Sequence, residues 1–286
     1  MTVALTAVLA LASAPQEIAI TLAARSQQPG ELLVATLTTD AQAREMRVRV
    51  FGQLMPVFQV DKGKWQSVVG VDIGQRPGVY SLVAEARVGS ELVSGRYELR
   101  ILRKRFPTRR LVVAPEFVDP PPSMRDRIER ETAFLADVYA HSALERLWHG
   151  AFVRPVPDPA TSRFGTRSIF NGRARSPHAG ADFLSVAGAR VRAPNAGRIV
   201  VARDLYFSGG TVVIDHGLGV FSLLAHLSQI DVKEEQDIDA GAVVGLVGAT
   251  GRVTGPHLHW ALRVAGARID PLSALELLGD AAPNPP

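Results

Sequence analysis

Residues 255–264 of this 286-residue chain are GPHLHWALRV, a stretch with the pattern of a β-strand. We predict a strand from Leu258 to Val264. Residues i and i+2 of a strand point to the same face, so His257 and His259 share one side while Leu258 and Trp260 pack on the other. Two imidazoles on one face can both reach a single metal ion in a groove.

A second segment, residues 177–183, is PHAGADF. His178 and Asp182 lie four residues apart with a glycine between them, and this spacing lets a tight loop fold onto one cation. Zinc accepts both imidazole and carboxylate ligands. A further histidine, His226, ends the apolar segment LLAH at residues 223–226, a position that is often buried or at the rim of a site.

Together these segments predict a catalytic zinc site. His178, Asp182 and His259 would supply three ligands and leave the fourth coordination position to water, as in catalytic zinc centres. The chain contains no His-Glu-x-x-His segment, and no glutamate is obviously placed as a general base. His226 and His257 remain as the imidazoles that could take that role.

Composition excludes several kinds of chemistry. The chain has no cysteine, which excludes disulfides, cysteine zinc ligands, thiol nucleophiles and iron–sulfur clusters. The formal net charge of +4 is a mild basic bias that suits an anionic surface such as nucleic acid or a cell envelope. No recognition-helix or RNA-binding signature accompanies this charge, so we predict no nucleic-acid partner.

The chain as a whole predicts a mainly β fold in three parts. Short alternating strands separated by glycine-containing turns predict an N-terminal β-sandwich over residues 15–105. Residues 106–149 are predicted as a linker with a helix that follows Pro120–Pro122 and has Ser123 as its N-cap. Residues 150–286, rich in glycine and in strand patterns, form the predicted catalytic domain.

The first residues, MTVALTAVLALASAP, have the shape of a secretory signal. An apolar run from Val3 to Ala12 leads into small residues, although no Lys or Arg precedes the run and Pro15 follows the Ala12–Ala14 site. We expect residues 1–14 to be a signal segment and the protein to be exported. The alternative is a buried N-terminal strand or helix, or a start codon placed slightly wrong.

The histidine segments, in this order, resemble the lysostaphin/LytM-type peptidoglycan endopeptidases. The resemblance rests on the pair His178 and Asp182, on AHLS at residues 225–228, and on HLH at residues 257–259 with its glycine-rich lead-in at residues 248–256. It implies an antiparallel β LytM-like peptidase domain with one zinc ion per chain. It further implies that the zinc ligands are His178, Asp182 and His259, and that His226 and His257 are catalytic.

The resemblance also implies a function. We expect an exported zinc metalloendopeptidase, periplasmic or associated with the cell wall, that hydrolyses the peptide cross-links of bacterial peptidoglycan. The D-Ala–diaminopimelate link between stem peptides, cut by a D,D-endopeptidase, is the first expectation and a glycyl-glycine bond the second. Cell-envelope proteins could bind through the N-terminal region. The alternatives are a non-catalytic wall-binding activator of other peptidoglycan hydrolases and a general exported protease.

The sequence departs from the family pattern at two positions. Leu224 stands where many members carry a tyrosine, so a substrate-orienting hydroxyl would have to come from elsewhere, for example from Tyr206. Glu235 lies near a turn where glycine is common. Asn171 and Arg173, just before His178, fit either a substrate contact or a loop role.

Overall fold

The computed structural model describes residues 17–40, 42–112, 119–162 and 164–278. The predicted signal segment, residues 1–14, lies outside the described residues, and export stays a prediction. In the part of the chain that the structure describes, no helix combines the length and apolar character needed to cross a membrane.

Antiparallel strands build the N-terminal region. In chain order they are β1 (Ala19–Ala24), β2 (Leu32–Thr38), β3 (Arg44–Val50), β4 (Gln53–Met55), β5 (Val57–Asp61), β6 (Lys64–Gly70), β7 (Gly78–Val88) and β8 (Glu91–Ile101). They form one sheet in the order β1-β2-β6-β5 and a second in the order β4-β3-β7-β8. Burial alternates along β3, where Met46, Val48 and Val50 face the core that both sheets share. The predicted β-sandwich is confirmed.

The predicted linker holds more structure than its sequence indicated. It contains strand β9 (Thr108–Leu111), a short 3₁₀ helix (Pro122–Met124) and helix α1 (Arg125–Ala140). The prediction that Ser123 caps the helix is wrong, because Ser123 belongs to the 3₁₀ helix and the cap position falls on Met124. Because the 3₁₀ turn occupies Pro122–Met124, α1 begins only at Arg125.

A mainly antiparallel sheet organises the C-terminal half. Its elements and their neighbours are β10 (Ala160–Ser162), β11 (Arg167–Phe170), β12 (Arg173–Ala174), β13 (Gly180–Phe183), β14 (Arg190–Arg192), β15 (Gly197–Leu205), β16 (Gly209–Asp215), β17 (Val220–Ile230), β18 (Asp237–Ile238), β19 (Val243–Val247), β20 (Leu258–Val264), β21 (Ala267–Ile269) and helix α2 (Pro271–Leu277). The main path is β10-β13-β20-β17-β16-β15-β18, while β11 lies between β12 and β9 in a small separate sheet. Strand β20 has the bounds predicted from the sequence.

The two faces of this sheet are covered differently. One face carries Trp260, Leu224 and Val212, which belong to the large apolar core together with Trp148. On the other face, α1 packs its apolar side chains against Val201, Val213 and Phe221. This face also carries His259, which pairs with Ala225 of β17 farther along the same strands. Helix α1 therefore shares a face of the sheet with the candidate site.

The N-terminal region is docked onto the C-terminal sheet. Leu32, Val34 and Val68 are buried in the same core as Trp260. Arg268 makes a bidentate ion pair with Asp72, at 2.8 Å and 3.0 Å. The two regions thus share part of one interior, and the boundaries near residues 105 and 149 stay a prediction.

Candidate metal centre and catalytic groove

The pairing of β13 with β20 brings Asp182 and His259 together. The two strands are antiparallel, with Asp182 opposite His259 and Gly180 opposite Ala261. A Cβ atom on Gly180 would lie 2.6 Å from Cε1 of His259 and 2.5 Å from the carbonyl oxygen of Trp260. The glycine between His178 and Asp182 is therefore needed so that the His259 ring can lie close to β13.

Three ligand atoms converge at this point. His178 Nε2 lies 2.9 Å from Asp182 Oδ1 and 3.1 Å from His259 Nδ1, and His259 Nδ1 lies 2.8 Å from Asp182 Oδ1. In a tetrahedral zinc site with bonds of about 2.0–2.1 Å, ligand atoms lie about 3.4 Å apart. The observed triangle is close to that edge length, and its donors are two imidazoles and one carboxylate. The residues fit a zinc ion, although any divalent metal that accepts nitrogen and oxygen ligands meets the same test.

The charges of these groups are mutually dependent. Burial would raise the pKa of Asp182, but hydrogen bonds from His178 and His259 outweigh this and hold that pKa well below its usual range. Burial lowers the pKa of His259, so the neutral form, which can bind a metal, is favoured.

His226 lies in a β-bulge of β17. Gly210 of β16 pairs with Leu227 and Val212 pairs with Leu224, so two residues of β17 oppose Thr211 alone. The backbone of His226 is left-handed, with φ at 66°, and its N–H donates to the carbonyl of Ser208 at 2.8 Å. The bulge turns this side chain out of the regular alternation and toward the metal side of the sheet.

The two remaining site histidines are held in the same way. His226 Nδ1 lies 3.0 Å from the carbonyl oxygen of Thr250, and His257 Nδ1 lies 2.9 Å from that of Gly255. A carbonyl oxygen can only accept, so Nδ1 is the protonated nitrogen in both rings, and Nε2 carries the lone pair when the ring is neutral. Burial first, then the charges of His259 and His257, lower the pKa of His226 to about 4.

These rings lie beside the ligand triangle without belonging to it. The ring centroids of His226 and His257 are 4.8 Å apart, and those of His226 and His259 are 6.0 Å apart. His257 Nε2 is 4.0 Å from Asp182 Oδ1, farther than either predicted histidine ligand. The structure therefore brings together all five predicted site residues and separates them into a triangle and an adjacent pair.

The lead-in loop between β19 and β20 supplies a residue that sequence reasoning missed. Thr250 Oγ1 accepts from the Gly210 N–H at 2.9 Å and donates to the Leu227 carbonyl at 2.8 Å, while its own carbonyl holds His226. A Cβ atom on Gly209 would lie only 2.2 Å from Thr250 Oγ1, so glycine permits this close approach. The glycine-rich composition of the lead-in was the available signal.

The family departures have structural explanations. Leu224 is fully buried and pairs with Trp260, so its side chain lies on the core face and away from the ligands. Tyr206 packs its ring edge against Phe207, with centroids 5.0 Å apart. Glu235 has a φ of 63°, which is the left-handed conformation that glycine adopts readily.

The other polar positions are now located. Asn171 has a φ of 48°, and its N–H donates to the Leu111 carbonyl at 3.0 Å, so it is a turn residue between β11 and β12. Arg173 is ion-paired with Asp119. His216 is fully buried; its Nδ1 contacts the Ala196 carbonyl at 2.7 Å, and its Nε2 contacts Ser222 Oγ at 2.9 Å.

Part of the chain matches a known protein family. Residues 176–271 match the family model for peptidase family M23. The crystal structure of a protein assigned to peptidase M23 from Pseudomonas aeruginosa is 30% identical, covers 88% of this chain and 95% of that chain, and has a TM-score of 0.67.

Curated relatives match the C-terminal segment. The peptidoglycan DD-endopeptidase ShyA of Vibrio cholerae is 41% identical over 99 residues, which is 35% of this chain and 23% of that protein. The DD-carboxypeptidase/endopeptidase Mpg of Neisseria meningitidis is 41% identical over 96 residues, 34% of this chain and 22% of that protein. The chain thus matches less than a quarter of the length of these relatives.

One face of the antiparallel sheet carries three residues that could hold a metal ion, with two further histidines beside them. This arrangement and the matches above define the chain as a peptidase. The chain belongs to peptidase family M23.

Proposed function

We propose that the chain is an exported zinc metalloendopeptidase that hydrolyses the peptide cross-links of bacterial peptidoglycan. The observation that carries the proposal is the convergence of His178, Asp182 and His259 within 2.8–3.1 Å of one another, beside two histidines of fixed tautomer. The complete ligand set favours an enzyme over a wall-binding activator. The names of the curated relatives support the substrate class.

The residues divide the work between them. His178, Asp182 and His259 would hold zinc, which supplies Lewis acidity that activates water near neutral pH and polarises a carbonyl group. His226 and His257 direct Nε2 toward the reacting atoms because Nδ1 of each ring is committed to a backbone carbonyl. One imidazole accepts the proton of the attacking water, and the other, once protonated, donates a hydrogen bond to the developing oxyanion.

The bond we propose first is the D-Ala–diaminopimelate cross-link, because DD-endopeptidase is the activity named for ShyA, with the glycyl-glycine bond second. The predicted signal segment supports export, and a cell-wall substrate requires a periplasmic or wall-associated location. One zinc ion per chain is proposed from the single triad that the described residues contain.

Mass spectrometry of muropeptides tests the proposal. Full-length protein loaded with zinc is incubated with purified sacculi, with the Asp182→Ala variant as the inactive control. Conversion of cross-linked dimers to monomers by the wild type alone is the expected result. Binding to sacculi without any new fragment would instead support the activator, and digestion of casein but not of sacculi would support a general protease.

A further inference from the structure

Thr250 joins three segments of the candidate site through one hydroxyl group. Its Oγ1 accepts from the Gly210 N–H of β16 at 2.9 Å and donates to the Leu227 carbonyl of β17 at 2.8 Å. Gly210 and Leu227 are paired in register at the bulge, so the hydroxyl bridges a donor and an acceptor of neighbouring strands. Both the proton and the accepting side of the hydroxyl are used in this way. The side chain of a loop residue is thus built into the sheet.

The carbonyl of the same residue holds the ring of His226. It accepts from Nδ1 at 3.0 Å, and Leu227 directly follows His226 in β17. The contacts therefore form a closed ring, which runs from the His226 backbone to the Leu227 carbonyl and returns through the Thr250 hydroxyl and carbonyl to the imidazole. Because hydroxyl and carbonyl belong to one short residue, the position of the first constrains the direction of the second.

The rest of the lead-in loop supplies no comparable side chain. Within residues 248–256, all of which the structure describes, Thr250 alone makes a hydrogen bond through its side chain. The next residue, Gly251, has a φ of 75°, and a Cβ atom there would lie 2.6 Å from the Phe207 carbonyl oxygen. Glycine permits this close approach but holds nothing in place. The Arg252 N–H donates to the same carbonyl at 3.0 Å, which fixes the loop beyond Thr250 and leaves the Thr250 carbonyl dependent on its own hydroxyl.

We propose that Thr250 is a positioning residue whose hydroxyl aims the imidazole of His226. The inference rests on the proposed function, which makes His226 a catalytic group. The Thr250 carbonyl keeps the proton of the neutral ring on Nδ1 and leaves Nε2 for the reacting atoms. Without the hydroxyl the carbonyl can turn away, so the ring can rotate and exchange its Nδ1 proton for one on Nε2 through solvent. A base in the wrong tautomer cannot accept the proton of the attacking water.

Steady-state kinetics on a soluble cross-linked muropeptide dimer test this role. The zinc-loaded, full-length proteins are the wild type, Thr250→Val, Thr250→Ser and Thr254→Val. Valine has the shape of threonine without the hydroxyl, whereas serine retains the hydroxyl. Thr254 lies exposed in the same loop and makes no hydrogen bond to the described residues, so Thr254→Val is the matched control. Thermal melting and zinc analysis check that each variant is folded and loaded.

We expect Thr250→Val to lower kcat about tenfold to a hundredfold, the usual effect of a misplaced catalytic group, at unchanged zinc content. KM should stay within about twofold, because the backbone occupies both functions of the hydroxyl and leaves none for the substrate. Thr250→Ser should recover most of kcat, and Thr254→Val should match the wild type. If Thr250→Val does not fold, Thr250→Ala takes its place, since it removes the hydroxyl with less bulk.

Nitrogen-15 NMR of labelled histidine reports the tautomer of the ring in the absence of substrate. The spectra are recorded at pH 8, and the signal that His226→Gly lacks identifies His226. The wild type should show the form protonated on Nδ1. Thr250→Val should show an increased share of the form protonated on Nε2, because the acceptor that holds the Nδ1 proton is no longer fixed.

Three results would overturn the positioning role. The first is a wild type that cuts the dimer and a Thr250→Val variant with the same kcat. The second is a Thr250→Ser variant as slow as Thr250→Val, which would mean that the hydroxyl is not the group that matters. The third is an unchanged His226 tautomer in Thr250→Val. A tautomer that shifts in a protein whose wild type cuts no cross-link would instead refute the proposed function and leave the control of the ring by Thr250 standing.

Discussion

The backbone of His226 has a conformation that residues with a Cβ atom rarely adopt. Its φ of 66° is left-handed, within a bulge, and this conformation is unfavourable by about 1–2 kcal/mol for a residue other than glycine. The surrounding hydrogen bonds hold it there, with the N–H on Ser208 and the ring on Thr250. Such conformations persist at functional sites because they aim a side chain that a regular strand would misplace.

This conformation reverses the usual ranking of alanine and glycine. We expect His226→Gly to be more stable than His226→Ala by about 0.5–1 kcal/mol, because glycine removes the Cβ clash of the left-handed region. Urea denaturation of both variants measures the difference. The same pair of substitutions at His259, in the regular strand β20, is the control and should favour alanine. An alanine preference at both positions would contradict the argument.

The division of the site into ligands and catalytic histidines can be tested by metal content. Asp182→Ala and His259→Ala should lose most of the zinc, whereas His226→Ala and His257→Ala should retain it and lose at least about a hundredfold in activity on sacculi. Atomic absorption and muropeptide release are the measurements. If His257→Ala loses metal while His259→Ala keeps it, the roles of these two residues are exchanged.

His216 predicts a pH dependence of stability. Burial lowers its pKa from 6.5 to about 4, so the unfolded chain binds a proton at this residue at a higher pH than the folded chain does. The contribution of neutral His216 to the free energy of unfolding is complete above pH 6.5. As the pH falls toward 4, roughly 3 kcal/mol of this contribution is lost.

A matched variant isolates this contribution. Between pH 7 and pH 4 the wild type should lose roughly 3 kcal/mol more of its free energy of unfolding than His216→Asn, as measured by urea denaturation at several pH values. Other buried histidines change the stability of both proteins and cancel in the difference. Parallel curves for the two proteins would show that His216 does not titrate as described.

The strands show why part of the site could be foreseen and part could not. HLH and HAGAD bring residues of the candidate site together through spacings of two and four residues, which the local geometry of a strand and a loop translates directly into contacts. The position of Thr250 depends on Gly210 and Leu227, which are distant in sequence, and no local period reveals it. Strand β9 is exposed at every position, so it lacks the alternation by which strands are recognised.

Helix α1 is connected to the candidate site through Glu131. This carboxylate accepts from the Tyr206 N–H at 2.7 Å and pairs with Arg127 at 2.6 Å. Tyr206 directly precedes Phe207, whose ring packs against the Arg252 guanidinium. Helix α1, which lies in the predicted linker, therefore supports the segment whose Ser208 carbonyl accepts the His226 N–H.

Removing this acceptor should disturb substrate binding but not the metal. We expect Glu131→Ala to lower the free energy of unfolding by about 1–3 kcal/mol and to raise KM several-fold at unchanged zinc content. Glu131→Gln keeps an oxygen acceptor for the Tyr206 N–H and should fall closer to the wild type. Equal KM values for the wild type and Glu131→Ala would rule out a supporting role for α1.

The shared interior makes the stability of the catalytic half dependent on the N-terminal region. Leu32, Val34 and Val68 fill part of the core, and each buried apolar side chain contributes about 1.5–3 kcal/mol. The sequence predicted two separate units because composition changes at residues 106–149. An interface made by alternate residues of strands looks, in sequence, like the interior of either unit alone.

The free energy of unfolding of a fragment of residues 150–286 should therefore be several kcal/mol lower than that of the full-length chain. Urea denaturation of both measures the difference, and the full-length Asp72→Asn variant, which weakens the pair with Arg268, should fall between them. A fragment as stable as the full chain would show that the N-terminal region contributes nothing to the catalytic fold.

The parallel pairing of β9 with β11 has a mechanical consequence. The chain enters β9 from the N-terminal sandwich and leaves β11 toward His178, and the two strands run in the same direction. A force that pulled the N-terminal sandwich away from the segment that carries His178 would therefore load the two strands in shear. Shear loads all the hydrogen bonds of the pair at once instead of opening them one by one. The β9–β11 pair is thus oriented to resist a force that separates the N-terminal sandwich from the segment that carries His178.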